Sequence, residues 1–99
     1  MLDLLLNRYL QPGAQEKAAA NERRHGVTFD EASTAFADPF GIVVDDPRHS
    51  ADETRVALLG HSASSRLLAV MFTERGDRIR LISARKATRR EHRHYEEGR

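Results

Sequence analysis

The spacing of apolar and polar residues changes several times along the chain, and the changes mark its elements. Leu67-Leu68-Ala69-Val70-Met71-Phe72 is apolar on both faces of a strand, since Leu67, Ala69 and Met71 alternate with Leu68, Val70 and Phe72. Such a run predicts a central strand of a small sheet, buried on both sides. Arg75-Gly76-Asp77 predicts a tight turn, and residues 78–85 a second strand paired to the first as a hairpin. Within that strand, alternation puts Arg78 and Arg80 on one face and Ile79 and Leu81 on the other, with Ser83 and Arg85 following Ile79 and Leu81. Thr88-Arg89-Arg90-Glu91 has the Thr-x-x-Glu spacing of a capping box and predicts a terminal helix over residues 89–97.

Upstream, residues 14–25 read as an alanine-rich helix, with Arg23, Arg24 and His25 in the last turn and Gly26 at the left-handed cap position. His25 in that setting reads as a capping or packing residue rather than a catalytic base. Thr28-Phe29-Asp30-Glu31 repeats the capping-box spacing and predicts a second helix over residues 29–37, its Phe29, Ala32 and Phe36 facing the core and Asp38-Pro39 ending it. Strands follow at 41–45 and 54–61, separated by the polar stretch from Asp45 to Glu53. Residues 2–10 fit either period, because Leu2, Leu5, Leu6 and Tyr9 suit a helix and Leu2, Leu4 and Leu6 a strand, and Pro12-Gly13 ends the segment. The order is two helices, four strands and a helix. Its short connections predict an α+β domain, the helices packed on an antiparallel meander of about four strands.

Length and composition narrow the class. A chain of 99 residues is expected to form one domain, and the absence of cysteine removes disulfides and thiolate metal sites. The leucine cluster near the start is too short to span a membrane and lacks the cationic flank of a signal peptide, so a cytoplasmic protein without membrane association is expected. The net charge of +1 conceals an asymmetry. Residues 75–99 carry nine Lys and Arg against four Asp and Glu, whereas the first 74 carry seven against eleven. One end of the fold is therefore anion-seeking, although arginines can also simply solvate a helix and an edge strand.

Two constellations could carry chemistry. Asp45, Asp46, His49, Asp52 and Glu53 share one stretch, but their spacing fits neither an EF-hand nor a helical histidine pair, so no metal or other cofactor is expected. The arginines fit a definite reaction better. RNA cleavage without a metal needs a base for the ribose 2′-hydroxyl, an acid for the leaving 5′-oxygen, and fixed positive charge beside a phosphorane. Arginine supplies the last of these and does not lose its proton. Arg75, Arg78, Arg80 and Arg85 are the expected cluster, with Arg66 across the sheet; His49, His61, Glu53 and Glu74 are the available acids and bases. With no Trp, two Tyr and four Phe, a base-stacking platform is not expected.

Three stretches together resemble the BrnT family of type II toxins, which share the RelE-like fold. They are Lys17-Ala18-Ala19-Ala20-Asn21-Glu22-Arg23-Arg24-His25-Gly26-Val27-Thr28-Phe29-Asp30-Glu31-Ala32, then Asp46-Pro47-Arg48-His49 with Glu53-x-Arg55, and Phe72-Thr73-Glu74-Arg75-Gly76 leading into Arg80-Leu81-Ile82-Ser83-Ala84-Arg85-Lys86-Ala87. Arg90-Glu91 and Tyr95 fit as well. The resemblance implies a ribonuclease toxin that halts translation, is neutralised by a ribbon-helix-helix antitoxin of the BrnA type, and reaches operator DNA only through that antitoxin. It implies phosphate-contacting or catalytic roles for Arg75, Arg80 and Arg85, with Glu53 and Lys17 in the catalytic set and Arg55 and Ser83 beside RNA, while Arg66 and Arg78 are expected to contact RNA from their place in the arginine cluster. The family begins with a strand carrying a Phe-x-Trp-Asp-like motif, and the atypical segment 1–13 stands in its place. A toxin that has lost catalysis and docks an antitoxin or nucleic acid through its basic C-terminal region is the alternative reading.

Overall fold

The structure, a computed structural model, describes residues 14–45 and 55–98. Ala14–His25 forms α1, and Gly26 closes it with φ of 70° and its N–H bonded to the Glu22 carbonyl. That left-handed geometry is the reason glycine ends the helix there. Phe29–Thr34 forms α2, and a single 3₁₀ turn, Ala35–Ala37, completes the stretch expected to be one helix. The sheet follows as β1 (Ile42–Asp45), β2 (Arg55–His61), β3 (Leu67–Arg75) and β4 (Arg78–Lys86), and α3 (Arg89–Glu97) ends the described chain. No helix among the described residues is long and apolar enough to cross a membrane.

The four strands lie in chain order β1-β2-β3-β4, every neighbouring pair antiparallel, which is the expected meander. β3 is interior and apolar on both faces, so each face needs a cover. Leu68, Val70 and Phe72 point into a core with Val27, Phe29, Ala32, Ala35 and Leu58, beneath α1 and α2. Leu67 and Ala69 point the other way, into a smaller cluster with Leu59 and Tyr95 of α3. The helices thus form two layers around one sheet, and α3 supplies only part of the second.

Two local contacts fix how the first layer sits. Gly60 of β2 is buried under the 3₁₀ turn, where an added Cβ would lie 2.8 Å from the Ala35 carbonyl oxygen. Backbone cannot yield as a side chain does, so Gly60→Ala is expected to lower stability by about 1–3 kcal/mol, measured by chemical denaturation; an unchanged midpoint would contradict this packing. Glu31 makes the second contact. Thr28 caps α2 by accepting from the Glu31 N–H at 2.9 Å, but the Glu31 carboxylate does not return to Thr28 as a full capping box requires. It reaches instead to the β2–β3 turn, accepting from Ser62 Oγ at 2.7 Å and from Arg66 Nε at 2.8 Å and Nη2.

Candidate active site

The face of the sheet that α3 only partly covers holds most of the candidate residues, and a β-bulge is what gathers them there. In the β3–β4 ladder Met71 pairs with Ser83 but Phe72 pairs with Leu81, so Ile82 is an extra residue in β4. The extra residue reverses the phase of the pleat. Leu81 and Ala84 consequently share the core beneath α1 and α2, though strict alternation would separate them. Arg78 and Arg80 precede the bulge; Ser83 and Arg85 follow it. All four come to lie on one face, which corrects the expectation that Ser83 and Arg85 would follow Ile79 and Leu81.

Neighbouring strands extend this file. Arg55 of β2 and Arg80 of β4 both pair with Thr73 of β3, so their backbones flank one β3 position, about 10 Å apart at ordinary strand spacing. Arg75 ends β3 opposite Arg78, and Gly76, with φ of 64°, turns the chain between them. Arg78 and Arg80 are exposed, and Ser83, Arg85 and Arg55 are partly buried. Arg55, Arg78 and Arg80, with the Arg75 backbone at the end of β3, therefore gather on the open half of one face, and Arg85 lies further along the same face, opposite Ala69 and beside α3. The guanidinium groups of Arg55, Arg78 and Arg80, on adjacent positions of this face, can contact several phosphate oxygens together.

Arg85 is held by several hydrogen bonds. Its Nη1 and Nη2 donate to Glu91 Oε1 and Oε2 at 2.7 and 3.0 Å, and Nη1 also reaches the Lys86 carbonyl at 3.3 Å. Glu91 is at the same time the acid of the complete capping box at Thr88, accepting from the Thr88 N–H at 2.9 Å. Burial raises the Glu91 carboxyl's affinity for a proton, but the Arg85 and Thr88 hydrogen bonds outweigh it and hold the group below the usual glutamate range.

Other candidates lie elsewhere. Arg66 does not join the file: it is tied to Glu31 and donates from Nη2 to the Gly26 carbonyl at 3.2 Å, on the side of α1 and α2. Lys17 is exposed on α1, in the layer behind the sheet. Glu74 pairs with Ile79, whose side chain packs on the α1–α2 core, so Glu74 lies on the face opposite Arg80. His61 sits at the far end of β2 and is engaged by α3. Tyr95 Oη donates to Asp38 Oδ2 at 2.6 Å and lies 3.2 Å from His61 Nδ1, a contact that needs the proton on Nδ1 because the tyrosine proton is already placed. Asp38 also accepts from the N–H groups of Phe40 and His61 at 2.9 and 2.8 Å. Glu53, His49 and the acidic stretch from Asp46 lie outside the described residues, and no group of three or more potential metal ligands occurs among the described ones.

Glu91 is the residue that sequence reading passed over. Its capping spacing was legible; its reach of six positions back to Arg85 was not, because it depends on how α3 turns away from β4. Glu31, held low chiefly by Arg66, and Asp38, whose hydrogen bonds outweigh the raising effect of burial, share the depressed affinity of Glu91. A carboxyl whose folded pKa lies below its unfolded value contributes stability that is complete above the unfolded value and is lost as pH falls through the folded one. Thermal melts should therefore change little from pH 7 to about 5.5 and fall below the ordinary glutamate and aspartate values of 4.5 and 3.8. Glu31→Gln should flatten that acid limb, and a melting temperature that rises on acidification would contradict the assignment.

Comparison with known proteins agrees with this architecture. The sequence model of the family described as the ribonuclease toxin, BrnT, of type II toxin-antitoxin systems matches residues 14–91. No curated protein sequence is a match. Among solved structures, the 1.1 Å crystal structure of the Brucella abortus ribonuclease toxin BrnT superposes with a TM-score of 0.56 at 23% identity, covering 76% of this chain and 91% of that one. At that identity the superposition speaks for the fold, while the sequence match spans most of the chain and all four strands. A meander between two helical layers, an arginine face and that match identify the chain as a member of the BrnT family of ribonuclease toxins of type II toxin-antitoxin systems.

Proposed function

We propose that this protein is an endoribonuclease that needs no metal, acting on RNA across the face that carries Arg55, Arg75, Arg78, Arg80 and Arg85. The observation that carries the reading is the bulge at Ile82, which brings Ser83 and Arg85 onto the face of Arg78 and Arg80. In the reaction the ribose 2′-oxygen attacks the adjacent phosphorus, a phosphorane gathers negative charge on its non-bridging oxygens, and the 5′-oxygen leaves with a proton. The products are a 2′,3′-cyclic phosphate and a 5′-hydroxyl. Arg80 and Arg85 supply fixed positive charge to the non-bridging oxygens, a contribution that grows as the charge does. Arg78, Arg55 and Ser83 hold the flanking strand. Glu53, two positions before Arg55 in the sequence, carries a catalytic expectation from its place in the family motif, whereas Lys17, on α1 behind the sheet, faces away from this reaction.

Family membership implies an antitoxin partner and an RNA substrate. The finer reading is a ribbon-helix-helix antitoxin of the BrnA type that covers the arginine face, stops cleavage and carries the pair to operator DNA. Induced expression in a bacterial host, with and without the neighbouring reading frame, tests this directly. Growth arrest with RNA loss, relieved by the neighbour, is the expected result, and purified protein should cut RNA in the presence of a chelator. Normal growth and intact RNA in cells that accumulate the protein would overturn the ribonuclease reading and favour the non-catalytic docking module.

A further inference from the structure

We propose that Glu91 is a positioning residue for Arg85, holding that guanidinium in register with the arginine face; the inference rests on the ribonuclease reading. An arginine side chain ordinarily samples many rotamers, and immobilising it at the moment of binding costs free energy. Here the cost is met in the folded protein. Both carboxylate oxygens of Glu91 accept from Arg85, and the pair is partly shielded, with side-chain exposures of 31% for Arg85 and 23% for Glu91. Glu91 is in turn held at both ends. The Thr88 N–H binds its carboxylate, and its own N–H donates to Thr88 Oγ at 3.2 Å. The helix that carries it is anchored by Tyr95, 3% exposed and bonded to Asp38.

Charge and geometry make opposite predictions for this carboxylate, which is what makes the assignment testable. A negative group beside a phosphate-binding arginine opposes RNA electrostatically. If Glu91 were only a counterion, removing its charge would tighten RNA binding and leave turnover equal or faster. If it positions Arg85, removing the fork slows turnover even though the site has become more positive. Glu91→Gln separates the two, because glutamine retains the capping position but offers one acceptor oxygen in place of two.

The experiment uses the full chain and a synthetic RNA, with kcat and KM measured separately and binding measured on the same RNA carrying 2′-deoxyribose at the cut position. The expected result is a fall in kcat of about tenfold for Glu91→Gln with RNA binding equal or tighter. Glu91→Asp, which keeps the charge but cannot span the same distance, should also lose turnover. Circular dichroism melts of both variants show whether the fold is retained, and the aspartate variant carries the test if the glutamine variant does not fold. Turnover at or above the wild-type level in a folded Glu91→Gln would overturn the positioning role. Absence of cleavage by the wild type would instead overturn the ribonuclease reading, and this inference with it.

Discussion

Arg80→Ala should lower the rate of RNA cleavage by roughly 10²- to 10³-fold while leaving the melting temperature nearly unchanged. The size follows from the kind of interaction removed: a preorganised donor aimed at developing oxyanion charge is typically worth about 3–4 kcal/mol in the transition state. Fold stability should be spared because Arg80 is exposed on the open half of its face, and surface replacements away from special features usually change stability by less than about 0.5 kcal/mol. Arg80→Lys should recover only part of the loss, since an ammonium keeps the charge but not the planar two-point donor geometry. The measurement is single-turnover cleavage of a labelled RNA. Wild-type rates in Arg80→Ala would remove the arginine face from the chemistry and move the site to another part of the molecule.

The second large effect concerns stability. Asn21→Ala should destabilise the fold by about 3 kcal/mol, a large fraction of the 5–15 kcal/mol typical of small domains. Asn21 is 7% exposed on α1, and its amide nitrogen donates to the Val27 and Ala84 carbonyls at 2.9 Å while its oxygen accepts from the Ala84 N–H at 3.0 Å. One side chain thus pairs both backbone groups of a residue in β4 as a neighbouring strand would, and closes the α1–α2 corner as well. Alanine would leave three buried backbone groups without these partners. Asn21→Asp should be worse at neutral pH, because a carboxylate would face two carbonyl oxygens with no proton to give. Urea denaturation reads both variants, and an Asn21→Ala midpoint within error of wild type would contradict the bridging role. Ala84 lies between Ser83 and Arg85, so the same bridge steadies the segment that carries the end of the arginine file.

The boundary between what could be read from the residues and what could not is visible at β4. Its existence, its pairing with β3 through the turn at Gly76, and the exposure of Arg78 and Arg80 all follow from local pattern. The placement of Ser83 and Arg85 does not, because a strand's alternation carries no mark of where one residue will be left over. The bulge is settled by which register buries Leu81 and Ala84 together, a property of β4 against β3, α1 and α2 jointly. The half-formed capping box at Thr28 has the same cause. Local spacing offers the Glu31 carboxylate a helix N-terminus, but Arg66 is a charged two-point partner, and it wins once the β2–β3 turn is brought within reach.

Fold class, the order of helices and strands, the caps at Gly26 and Thr88, the burial of β3 on both faces and the family are legible in the chain, because each is written in residues a few positions apart or in motifs kept in order. Packing alone settles that Ser83 and Arg85 share the face of Arg78 and Arg80, that Arg66 is tied to Glu31, that Glu74 lies behind the sheet, that His61 is engaged by Tyr95 of α3, and that Glu91 holds Arg85. Those outcomes depend on contacts between residues that are distant in the chain or separated by a turn, where competing partners are chosen by packing rather than by spacing.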